Sequence, residues 1–208
     1  MSKEEEGTWL TPEDRKNYNK YSFVEGAISD SEVESLLAFA KSKLPTANNE
    51  TSETSQICEL YNRPDAWDNE GVISKLQQAF RDQIKKTNFL VGVLEPKRFT
   101  LLRTDELQSY SEEYPEFVDG PEVEYTAVVT LNNDYRGGDT DYVVDGEGFM
   151  PVPGNLHVHR NERGNNWMIK DVNVKTRYDF MMVMIERPVS ARYDEFEIEQ
   201  TVDDGVDY

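Results

Sequence analysis

The chain has two histidines, and they stand two apart as His157-Val158-His159. On an extended strand alternate side chains share a face, so both imidazoles point one way and Val158 the other. Imidazoles paired in this manner can share a metal ion, and Glu162 close behind them could add a carboxylate. No later histidine completes that set, and the stretch lacks the ligand count of a firm site. The reading adopted is therefore two half-exposed histidines on an outer sheet face, beside Arg160 and Arg163; His157, His159 and Glu162 as metal ligands stay as the alternative. Cys58 is the sole cysteine. It can form no internal disulfide, and one cysteine with two histidines does not compose an ordinary structural zinc site. As a nucleophile it would need an imidazole base that the sequence does not place beside it. No glycine-rich phosphate loop and no nucleophile elbow is present.

The elements that must carry these residues come in two kinds. Val33, Leu36, Leu37, Ala40 and Leu44 recur at helical spacing after Ser31-Glu-Val-Glu34, which offers a capping box, and Pro45 closes the helix. Val72, Ile73, Leu76, Phe80 and Ile84 mark a second amphipathic helix, ending in Lys85 and Lys86 where cations are favourable. From Phe89 the period shortens to β-rich runs at 89–94, 97–103, 124–131, 140–144, 154–159, 167–174, 178–185 and 193–199. Gly137-Gly138 and Asp145-Gly-Glu-Gly148 are the strongest turn signals. Met181, Met182 and Met184 in an apolar strand read as gap-filling core. Two helices followed by many short strands predict an α+β fold with a sandwich or barrel core.

The chain's 208 residues suit one domain. Residues 1–20 read as an acidic N-terminal arm, 21–200 as a single domain, and 201–208 as an acidic tail. Forty-one acidic against 22 basic side chains give a net charge of −19, which repels phosphate backbones and anionic lipid. Neither nucleic acid nor a membrane is expected as partner. The opening Met-Ser-Lys-Glu-Glu-Glu is acidic where a secretory signal would be basic then apolar, and no apolar run nears the ~20 residues that span a bilayer. A soluble, cytoplasmic protein is the expectation.

Phe99-Thr-Leu-Leu-Arg103, Gln108-Ser-Tyr110, Tyr125-Thr-Ala-Val-Val-Thr-Leu-Asn132, Asp134-Tyr-Arg-Gly-Gly-Asp139, Pro153-Gly154 and Val172-Asn-Val-Lys-Thr-Arg-Tyr178 follow one another in order. In this order they resemble the prolyl-4-hydroxylase-like 2-oxoglutarate/Fe(II) dioxygenase family. The resemblance implies a double-stranded β-helix, or jelly roll, supported by the two N-terminal helices. It also implies an iron site of two histidines and one carboxylate, with open positions for cosubstrate and oxygen. Ten positions before Arg177, where the family's distal histidine is expected, stands Trp167. Upstream, Asp119 in Val118-Asp119-Gly-Pro121 keeps the aspartate while Phe117 takes the histidine's place; a gapless count from Arg103 selects Glu113 and Pro115 instead. Asp119 is equally an ordinary turn residue. The resemblance gives Arg177 to the cosubstrate's 5-carboxylate, which its planar fork suits, but a structural ion pair in a very acidic protein stays open. The His157, His159 and Glu162 spacing is similar to the first motif of the cupins, another jelly-roll family, with one residue too few before the glutamate.

From this loss of histidines the sequence-based expectation is a catalytically inactive 2-oxoglutarate dioxygenase-like domain. It would act as a structural or adaptor subunit among other protein subunits, with a virus or phage particle as an assembly the resemblance implies. No cofactor is expected on this reading. The alternative is an active 2-oxoglutarate/Fe(II)-dependent hydroxylase, or a cupin-like metal enzyme, with unusual ligands.

Overall fold

The computed structural model describes residues 21–44, 56–60, 71–87, 92–112, 123–142, 147–161 and 167–188. Helix α1 (Asp30–Lys43) starts at a capping box two residues earlier than the sequence suggested. Ser29 Oγ accepts from the Glu32 amide at 3.4 Å, and Glu32 Oε2 accepts from the Ser29 amide at 2.7 Å. The earlier start satisfies two amides of the first turn while Val33, Leu36 and Ala40 turn inward. Helix α2 (Val72–Thr87) buries Val72, Ile73, Leu76, Phe80 and Ile84. Lys75 of α2 reaches Glu32 at 2.7 Å. That ammonium first, and the Ser29 amide next, hold the Glu32 carboxyl down at about 2.

Twelve strands are described: β1 (Tyr21–Val24), β2 (Gln56–Leu60), β3 (Gly92–Thr104), β4 (Tyr110–Glu112), β5 (Val123–Thr130), β6 (Arg136–Gly137), β7 (Thr140–Tyr142), β8 (Glu147–Phe149), β9 (Leu156–Asn161), β10 (Trp167–Ile169), β11 (Val172–Val174) and β12 (Arg177–Pro188). Six pair in the order β1-β9-β5-β12-β3-β2, four in the order β4-β10-β7-β8, and β11 pairs β6. Every strand-to-strand ladder is antiparallel. The period of two sorts the core into two layers. Leu101, Ala127, Val129, Leu156, Val158, Phe180 and Met182 pack with the buried residues of both helices. Leu102, Val128 and Met181, their alternates on the opposite face, pack with Trp167 and Ile169 of the smaller sheet, and Tyr110 and Phe149 lean on that cluster. Two antiparallel sheets facing across an apolar interior, with few helices, are the layers of a jelly roll.

Several sequence boundaries are corrected. The runs 89–94 and 97–103 belong to one strand, β3, because a bulge at Lys97 carries the ladder past Pro96: pairing steps from Met184–Pro96 to Val183–Arg98. The run 167–174 is two strands in two sheets. Between them the Lys170 amide bonds to Asp139 O and Asp171 O accepts from the Gly138 amide, so the chain leaves one sheet for the other. β1, β2, β4, β6 and β8 lie outside the runs the sequence marked. The run 193–199 lies outside the described residues.

Two glycines of the ordered motifs hold corners. Gly137 has φ 70°, and a Cβ there would lie 2.6 Å from Asp171 O. Gly154 has φ 80°, and a Cβ would lie 2.8 Å from Ile28 O and 3.2 Å from Val33 Cγ2, where β9 enters beneath α1. Both conformation and space demand glycine at that corner. Gly154→Ala is expected to cost about 1–3 kcal/mol, read as a lower urea midpoint at unchanged slope.

Candidate functional site

The chemistry-bearing residues converge on the inner face of the six-stranded sheet. β9 lies between β1 and β5, with His157 opposite Phe23 and Val128, and His159 opposite Tyr21 and Thr126. Both imidazoles point into the interior between the sheets and are only 4 % and 1 % exposed. The expectation of two half-exposed histidines on an outer face is therefore corrected. Alternation was read rightly, but Val158, not the histidines, takes the side that packs with the helices. Their rings lie 6.2 Å apart. Burial pushes both below the usual imidazole range, His157 to about 3 with the Arg177 cation adding to the effect; for His159 the neighbouring His157 adds to burial. Both are neutral at pH 7.

Trp167 of β10 fills the space facing them. It is fully buried, with its ring 5.9 Å from His157, 5.8 Å from His159 and 5.5 Å from Tyr110. Phe149 closes the cluster 5.4 Å from His157. The Trp167 indole N–H has no acceptor among the described residues. An indole presents an N–H donor and a π face, with no lone pair for a metal.

Arg177 opens β12 and is fully buried, as is Asp179 two residues on along the same face. Its Nε donates to Asp179 Oδ2 at 2.9 Å and Oδ1 at 3.1 Å, and Nη2 donates to Oδ1 at 2.9 Å. Nη2 also donates to Thr130 Oγ1 at 3.1 Å, while that hydroxyl donates to Asp179 Oδ1 at 2.6 Å. Nη1 donates to Gly138 O at 2.5 Å, which ties the six-stranded sheet to the glycine corner. The Tyr135 ring lies 5.8 Å from the guanidinium carbon; burial above all pushes its hydroxyl up to about 12. Asn132 fixes the start of β12. Its Nδ2 donates to Thr176 O at 2.7 Å and its Oδ1 accepts from the Tyr178 amide at 2.8 Å. The Leu-Asn and Arg-Tyr motifs thus meet in one network.

Of the residues singled out in the sequence, His157, His159, Trp167 and Arg177 are brought to this interior. Phe117, Asp119, Glu162, Glu113 and Pro115 lie outside the described residues. Asp179 and Thr130 were missed. Their signal was the period of two from Arg177 to Asp179. Among the described residues no three His, Cys, Asp or Glu side chains gather as a metal site, and no helix is long and apolar enough to cross a membrane.

This architecture is the prolyl-4-hydroxylase-like 2-oxoglutarate oxygenase fold. The chain is similar to a viral collagen prolyl hydroxylase from Paramecium Bursaria Chlorella virus-1, solved in complex with 2-oxoglutarate, with TM-score 0.63 and 16 % identity over 81 % of this chain and 97 % of that one. It is similar to a Pseudomonas putida prolyl-4-hydroxylase with TM-score 0.59 and 18 % identity, over 84 % and 96 % of the two chains. A 2OG-Fe(II) oxygenase family protein from Burkholderia pseudomallei matches with TM-score 0.57 and 12 % identity, over 80 % and 84 %. No protein-family model and no curated protein matches the chain.

These likenesses correct the expectation that no cofactor belongs here, because the fold is that of 2-oxoglutarate- and Fe(II)-dependent oxygenases. The described residues do not fit either group in the manner the resemblance implies. Trp167 offers iron no donor atom. At Arg177 the edge suited to a carboxylate is already filled by Asp179.

Proposed function

We propose that this chain is a non-catalytic member of the oxygenase fold that serves as a structural or adaptor subunit, binding other protein subunits through its surface. The observation that carries the reading is Trp167, a fully buried indole packed on both imidazoles of the barrel interior. Aromatic packing there stabilises the two layers and occupies room that reacting groups would need. A net charge of −19 favours partners with basic surfaces. The inward turn of His157 and His159 favours a rival, a hydroxylase or cupin-like metal enzyme with unusual ligands.

One experiment separates them. The protein is incubated with Fe(II), ascorbate and 2-oxoglutarate, beside an active prolyl hydroxylase, while native material is sized by sedimentation. The expected result is succinate no higher than in the protein-free control, with the native chain migrating in a defined assembly. Sustained succinate formation that is lost in His157→Ala would establish the rival instead.

A further inference from the structure

We propose that Asp179 is a built-in ligand: its carboxylate occupies a preformed carboxylate seat on Arg177, and shortening it opens that seat to small carboxylates from solution. The seat has three fixed parts. Nε and Nη2 present two donors in one plane to the carboxylate. Thr130, opposite Asp179 in the β5–β12 ladder, adds a hydroxyl donor at 2.6 Å. The guanidinium is held from its other side by Gly138 O at 2.5 Å and faced by the Tyr135 ring. None of those holds depends on Asp179, so the donors keep their places when its side chain is cut back.

The chemistry then selects the ligand. Arg177, Asp179 and Thr130 are 0 %, 0 % and 2 % exposed. A guanidinium at that depth is costly when left without a counter-charge. The planar pair of donors and the hydroxyl match a two-oxygen anion, and the group that Asp179 loses on truncation to alanine is a carboxylate of formate size. Local opening of the barrel gives such an ion access. The inference stands apart from the adaptor reading, since a wild-type chain that forms succinate leaves it untouched, and a chain with no turnover does not establish it.

The test follows thermal midpoints in sodium formate and in sodium chloride of equal ionic strength. Wild-type protein is expected to melt alike in both. Asp179→Ala should melt lower in chloride and regain about 3–6 °C in formate along a saturating curve. Asp179→Asn, whose amide still fills the space, should not respond, nor should Arg177→Met combined with Asp179→Ala. If Asp179→Ala folds in neither salt during refolding, or folds and melts alike in both, the proposal is overturned. Recovery of refolding in formate alone supports it. An equal formate response in the double variant also overturns it, because the cation would then play no part.

Discussion

Arg177→Met is expected to destabilise the fold by about 3–5 kcal/mol, whereas Arg177→Met together with Asp179→Val should return to within about 1–2 kcal/mol of the parent. The asymmetry comes from burial. Neither side chain has solvent access, so deleting the cation leaves the Asp179 carboxylate with the Thr130 hydroxyl donating to it, at the centre of a closed network. Removing both charges abolishes the desolvation cost of each, and two apolar side chains of similar volume refill the space. With total stabilities of about 5–15 kcal/mol, the single change is a large fraction of the whole. Urea unfolding of the parent, both single variants and the double variant gives the coupling energy. Additive losses in the double variant would mean that the pair does not act as a unit, and the account of the network would fail.

The motifs that were legible in the sequence are those in which the backbone itself makes the demand. Gly137 and Gly154 sit at positive φ against carbonyl oxygens of other segments, so nothing larger fits. Asn132 mimics a strand partner for the amide of Tyr178, which is why a Leu-Asn signal precedes an Arg-Tyr signal. What could not be read locally is which face of a strand turns inward. The alternation of β9 places both histidines together, but their burial follows from the layers: Val158 turns to the helices and the imidazoles to the smaller sheet, where Trp167 and Phe149 cover them. Likewise the sequence leaves Arg177 between an external carboxylate and an ion pair, and names no partner for it. Its partner was two residues away, made available only because Thr130 and Gly138 come close from β5 and the glycine corner. Counting back from Arg177 reached Trp167, and the structure sets that residue in the interior facing the histidines. The count upstream to Phe117 and Asp119 falls outside the described residues.

The buried histidines lead to an expected acid instability between about pH 6.5 and 5. In the unfolded chain an imidazole titrates near pH 6.5. In the folded protein burial keeps both neutral far below that, with His157 at about 3. A histidine pushed down by folding contributes its full stability above the unfolded value and loses it as pH falls, because the unfolded chain then binds protons that the native one refuses. The loss approaches about 1.4 kcal/mol per pH unit for each imidazole and continues for His157 until pH nears its folded value. Three features keep protons out: the Arg177 cation bearing on His157, the second imidazole 6.2 Å away, and the apolar Trp167 and Phe149 rings packed against them. Relief of repulsion in a chain of charge −19 acts in the opposite sense as pH falls, since fewer carboxylates remain ionised. That effect is common to parent and variant. His157→Gln with His159→Gln should therefore begin less stable at pH 7.5 yet lose less on acidification, and nearly two fewer protons should be taken up on its unfolding at pH 5.5. The comparison is confined above pH 5 because carboxyls held low by their partners, such as Glu32 with Lys75 and Asp134 with Asn132, add their own losses in more acid solution. Parallel decline of parent and double variant from pH 6.5 to 5 would show that the imidazoles are not shut away from solvent, and the packing of Trp167 against them would have to be redrawn.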